Sequence, residues 1–149
     1  MTQPATILPL IHAGATLFMT GLIWFVQIVH YPLFAEVGVV GFARYEQLHS
    51  ARTTLIVAPV MLIELASAVA LLVIPGSLPR WMTLAGAALV AVIWLSTFFL
   101  SVPRHSELAA GFLPEAHRSL VLTNWIRTAA WTLRAVLALG MLARPARLI

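Results

Sequence analysis

Chemistry in this chain can begin at Glu46 and His49, because the Glu-x-x-His spacing puts a carboxylate and an imidazole one helical turn apart, where both reach one ion. Four-helix di-iron proteins use two such motifs plus two further glutamates, whereas this chain has a single copy. Two histidines with one carboxylate form a different centre, the facial triad of non-haem iron enzymes, which leaves positions open for oxygen or substrate. On that reading His30, Glu46 and His49 are the metal ligands, for iron or copper. Alternatively His30 and His105, from different apolar runs, ligate a haem. The competing reading makes all of these interfacial histidines, bonded to arginine, glutamate and lipid headgroups.

A second constellation lies deeper. Glu46, His49, Thr53, Val60, Glu64 and Ser67 recur at intervals built from threes and fours, so they share one face of a helix. A glutamate inside a membrane span is costly unless it meets a partner or a water-filled cavity. The other runs carry stripes of their own: His12, Thr16, Thr20, Gln27 and His30; Trp94, Thr97, Ser101 and His105; Asn124, Arg127, Trp131 and Arg134. In lipid such stripes should face the bundle interior. The expected result is a polar pocket in which Gln27, Trp94, Asn124 and Trp131 touch substrate and Glu46, Glu64 and Arg127 are the catalytic groups. Counting from span starts at Thr53 and Ser119, Glu64 lies about 16 Å and Arg127 about 12 Å deep, which predicts an ion pair between them. Arg134 is expected to snorkel, His12 to make a helix-to-helix hydrogen bond, and His105 and His117, taken singly, to be solvated. Trp81, Trp94, Trp125 and Trp131 read first as belt and packing residues, as Met19, Met61, Met82 and Met141 do for packing.

The elements that must position these groups are set by composition. The 149 residues are 61% hydrophobic and 9% charged, with a mean hydropathy of +0.96, which excludes a water-soluble domain of ordinary composition. Four apolar runs, Ile7 to Leu33, Thr53 to Ile74, Trp81 to Val102 and Leu120 to Leu142, each reach the ~20 residues that cross a bilayer. The expectation is one all-α domain over residues 1–149, an integral membrane four-helix up-down-up-down bundle with an interfacial helix leading into the second span. Phe42, Tyr45 and Leu48 would form one side of that interfacial helix, and Glu46 and His49 the other. Tyr31 and Phe34 read as headgroup anchors, Pro75 to Arg80 as a tight turn, residues 104–119 as a polar connection, and Ser119 as the N-cap of the last span. The first run lacks the basic flank of a signal peptide and carries His12, Gln27 and His30, so it reads as a retained span. This topology gathers His30, Glu46, His49, His105 and His117 at one membrane face.

The net charge of +4 comes from nine arginines against five glutamates. It suits anionic headgroups, and no arginine cluster resembles a nucleic-acid site. With no cysteine there is neither disulfide nor thiolate metal site. The expected setting is a bacterial inner membrane with cytoplasmic termini. The expected partners are membrane lipids and a hydrophobic small molecule, with a homo-oligomer or larger membrane complex around the chain.

Two features resemble small bacterial four-helix membrane proteins of the anthrone-oxygenase-like type. One is the first span, rich in glycine and aromatics and ending in a proline, here Gly21 to Pro32; the other is Asn124-Trp125-Ile126-Arg127-Thr128 near the start of the last span. The resemblance covers the four-span layout and that short motif. It implies oxidation of a hydrophobic, aromatic molecule within the bundle, with Asn124, Trp125 and Arg127 near the pocket. The expected function is therefore a membrane-embedded redox or oxygenase-like protein. The alternatives are an accessory subunit of a membrane complex, or a proton-coupled carrier using Glu64 and Arg127.

Overall fold

Helices account for nearly all of the computed structural model, which describes residues 4–74 and 78–144. Helix α1 spans Pro4–Phe25 and runs on through a π-helical turn, Val26–His30, and a 3-10 turn, Pro32–Glu36. Gly38 then turns the chain with φ of 83°, a conformation open to glycine and strained for most other residues. Helix α2 comes next as 35 residues, Val39–Val73, continuous through Pro59. Helix α3, Arg80–Ser96, passes through a second π-helical turn, Thr97–Ser101, into α4, Val102–Leu108. Helix α5 spans Pro114–Leu142.

Three stretches, Ile7–Glu36, Val39–Val73 and Arg80–Leu108, are long and apolar enough to cross a membrane, as expected of an integral membrane protein. Helix α5 matches them in length but falls outside that set, because Asn124, Arg127 and Arg134 interrupt its apolar surface. Burial is inverted relative to a water-soluble bundle. His12, Thr16, Gln27, Glu46, Glu64, Asn124, Thr128 and Arg134 are buried, while Leu55, Ile56, Phe98, Phe99, Leu133 and Val136 are exposed. Lipid favours this arrangement, since it solvates apolar side chains and leaves polar ones to find partners inside.

Side-chain bonds fix how the helices lie. Along α1 and α2, His12 meets Ser67, Thr16 meets Glu64 and His30 meets His49, so the two run in opposite directions. Along α1 and α5, Thr16 meets Arg134, Gln27 meets Asn124 and the Tyr31 carbonyl meets His117, again in opposite order. Helix α5 also meets α3, through Arg134 on the Gly86 carbonyl, and the second π turn, through Arg127 on Ser101.

Several boundaries differ from those expected. Residues 104–119 are largely helix: α4 ends at Leu108, and α5 starts at Pro114 with Leu113 as its N-cap, so Ser119 is interior. A proline at the first helical position needs no N–H partner, which is why the helix starts there. Phe42 and Glu46, assigned to opposite sides of an interfacial helix, are both fully buried on one face, four residues apart. Tyr31 and Phe34 are buried and so are not headgroup anchors. The Pro75 to Arg80 turn lies partly, and the tail beyond Arg144 wholly, outside the described residues.

Candidate metal centre

Two helices bring Glu46, His49 and His105 together. Helix α2 supplies Glu46 and His49 one turn apart, and α4 supplies His105. One ligating atom from each of the three lies within 4.8 Å of the others, a spacing that could hold a metal ion. Donors about 2.0 to 2.2 Å from one ion stand about 3 to 3.6 Å apart, so these side chains would draw slightly closer to hold it. The π turn that follows α1 sets His30 beside them, with Tyr31 just beyond it.

The hydrogen bonds define the roles. The His105 ring donates from Nδ1 to Glu46 Oε1 at 2.6 Å, and Ser50 Oγ donates to the same oxygen at 2.9 Å. His105 Nε2 accepts from the Tyr31 hydroxyl at 2.9 Å. His30 Nε2 and His49 Nδ1 share a bond of 2.8 Å, with Thr53 Oγ1 3.2 Å from the same His49 nitrogen. Glu46 Oε2 is buried and has no hydrogen-bond partner. A carboxylate oxygen without a partner is costly in a dry interior, so this atom marks a place where a cation or donor belongs.

Phe34 forms the packing hub. Its ring centroid lies 5.3 Å from His30, 5.1 Å from His49, 6.5 Å from His105 and 6.3 Å from His117. Phe42 lies against Phe34 and Phe112, all three at the same end of the bundle. The aromatic layer fixes the imidazoles from one side and keeps the cluster in apolar surroundings.

The expected triad is thus shifted by one member. His30 bonds to His49, while His105 is the histidine that stands with Glu46 and His49. His105 and His117 are not solvated loop residues: both sit in helices, and His117 Nε2 bonds to the Tyr31 carbonyl at 2.7 Å. The expected haem pair, His30 and His105, finds no support in this geometry. The His49 ring packs against both, at 4.6 and 5.5 Å, so a third imidazole, not an open gap, lies against the two rings.

The second constellation also departs from expectation. Glu64 pairs with Arg134, not Arg127: Arg134 Nε donates to Glu64 Oε1 at 3.0 Å. Trp131 Nε1 donates to Oε2 and Thr16 Oγ1 to Oε1, each at 2.9 Å. Arg134 is 1% exposed and also donates to the Gly86 carbonyl at 2.6 Å, so it does not snorkel. The depth count failed because its origins were wrong. Helix α2 begins fourteen residues before Thr53 and α5 five residues before Ser119, so Glu64 is deeper than Arg127 and level with Arg134. His12 does make its helix-to-helix bond, Nδ1 to Ser67 Oγ at 2.9 Å.

Of the residues expected to touch substrate, Gln27 and Asn124 bond to each other at 2.9 Å, with Thr128 on the same Gln27 oxygen. Trp131 is bound to Glu64, and Trp94 packs on Phe98. Arg127 donates to Ser101 Oγ at 2.8 Å and lies over the Trp131 ring at 5.7 Å. Tyr31 is the site residue that the sequence reading missed. Its place directly after His30 on the inward stripe was the available signal, masked by the adjoining Pro32.

No protein-family model, no curated protein and no solved structure matches the chain.

Proposed function

We propose that this chain is an up-down-up-down four-helix membrane protein in which Glu46, His49 and His105 hold a transition-metal ion near one end of the bundle. The centre serves redox or oxygenase-like chemistry on a hydrophobic small molecule taken from the bilayer. The observation that supports this most strongly is Glu46, fully buried and with one oxygen unpartnered beside two imidazoles. Two histidines and one carboxylate suit iron, and leave coordination positions that the protein does not fill. His30 and Tyr31 would orient the ligating rings, as hydrogen-bonding neighbours of metal-bound histidines do. The two π-helical turns, at Val26–His30 and Thr97–Ser101, flank the site, and such turns recur at functional sites. The start of α2 is read as lying at the membrane interface, the setting a bacterial inner-membrane protein would give it. The carrier alternative gains no support from Glu64, since both of its oxygens are bonded inside the bundle.

The test is metal content and the visible spectrum of protein purified in mild detergent from its native membrane. Near-stoichiometric iron or copper that falls in His49→Ala and His105→Ala supports the reading. Metal content unchanged in both variants, or absent after reloading, overturns it.

A further inference from the structure

Arg127 stands between the two buried constellations. Its NH1 donates to Ser101 Oγ and its guanidinium lies over Trp131. Its Nε is buried and has no hydrogen-bond partner. Among the described residues the ion pairs join Arg104 to Glu107, His105 to Glu46 and Arg134 to Glu64, and none includes Arg127. A guanidinium is always charged, and in lipid surroundings it requires a counter-charge. The side chain as a whole is half-buried, so part of it opens outward for a ligand to meet.

We infer that Arg127 binds an anionic oxygen, carboxylate or phenolate, carried on an apolar body that enters from the bilayer. This deepens the metal-centre reading and rests on it in one respect: a divalent ion held by Glu46, His49 and His105 would add positive charge near Ser101, the hydroxyl that Arg127 bonds, four residues before His105. The excess positive charge selects a negative ligand over a neutral one. On this proposal phospholipid headgroups are not its source: Arg127 lies near the middle of α5, thirteen residues from Pro114 and fifteen from Leu142, about 20 Å of helix from either end. Nor does the guanidinium act as an isolated point charge. The Trp131 face holds it flat and Ser101 fixes one edge, leaving the rest of its planar fork for the ligand.

The experiment compares 2-naphthoate with its methyl ester, which shares the apolar body and lacks the charge. Binding is measured by equilibrium dialysis against the protein in lipid nanodiscs, with empty discs as the blank. The expected result is a preference for the acid of about tenfold or more in the metal-free protein, rising when iron(II) or zinc is loaded. Arg127→Gln should lose the preference and Arg127→Lys should keep part of it, with circular dichroism reporting the fold. If Arg127→Gln does not fold, the wild-type comparison and Arg127→Lys decide. Equal binding of acid and ester, no binding above the blank, or an undiminished preference in Arg127→Gln overturns the proposal. A preference that survives while no metal binds would retain the anion site and remove the metal centre.

Discussion

Glu46 and Glu64 sit on the same helix, eighteen residues and about 27 Å apart, and both are buried, at 0% and 2% exposure. Their surroundings differ. Glu64 is completed by the chain itself: a guanidinium, an indole N–H and a threonine hydroxyl account for both oxygens. Glu46 keeps one oxygen open and collects imidazoles, the side chains that most readily take up protons or metals. A closed set of partners holds helices together. An open one is held ready for something that the chain does not supply. That contrast is the ground for reading Glu64 as structural and for proposing Glu46 as the functional glutamate.

The largest effect should come from unbalancing the closed site. Arg134→Met leaves a carboxylate buried without its cation and should cost about 3 to 5 kcal/mol in detergent unfolding. Adding Glu64→Gln to that variant keeps the Trp131 N–H on the amide oxygen and lets the amide nitrogen donate to Thr16 Oγ1 in place of accepting from it, and should recover most of the loss. A double variant as unstable as the single one would mean that the pair itself, and not its imbalance, carries the stability. At the open site the effect depends on ligand. A metal at a hundred times its Kd should stabilise the wild type by about 2.7 kcal/mol in the same assay and leave Glu46→Gln unchanged.

Smaller changes sharpen the contrast. Trp131→Phe removes one donor from Glu64 Oε2 and should cost about 1 to 3 kcal/mol, whether or not metal is present. His30→Ala should weaken metal binding by about 10- to 100-fold, because it removes the orienting bond to His49 and no ligand. Isothermal titration would show this; a loss as complete as in His49→Ala would restore His30 to the ligand set. The smallest effect should be on the stability of metal-free Glu46→Gln. Relief from burying a charge offsets the weakened bond to His105, so the change should stay within about 1 kcal/mol.

The sequence made the helical, membrane-spanning character legible, because long apolar runs with few charges admit little else. It also brought out Glu46, His49 and Glu64 through their spacing on one face. Partner choice was less legible. Pairing Glu64 with Arg134 depends on where α2 and α5 begin, and Val39 and Pro114 lie in stretches whose polarity reads as connection. The exchange of His30 for His105 was hidden for a related reason. The π turns at Val26–His30 and Thr97–Ser101 carry an extra residue each, which shifts the phase of the residues beyond them in a way that a 3.6-residue period does not register. Phe34 looked like an interface anchor, and only the packing shows it at the centre of four imidazoles.

The most direct test of the open site is a cobalt(II) titration of metal-free wild type and Glu46→Gln, monitored by visible absorption and elemental analysis. The account predicts about one ion per chain in the wild type, with ligand-field bands, and none in Glu46→Gln at equal helicity. Equal cobalt uptake by both proteins, or none by either, would contradict it.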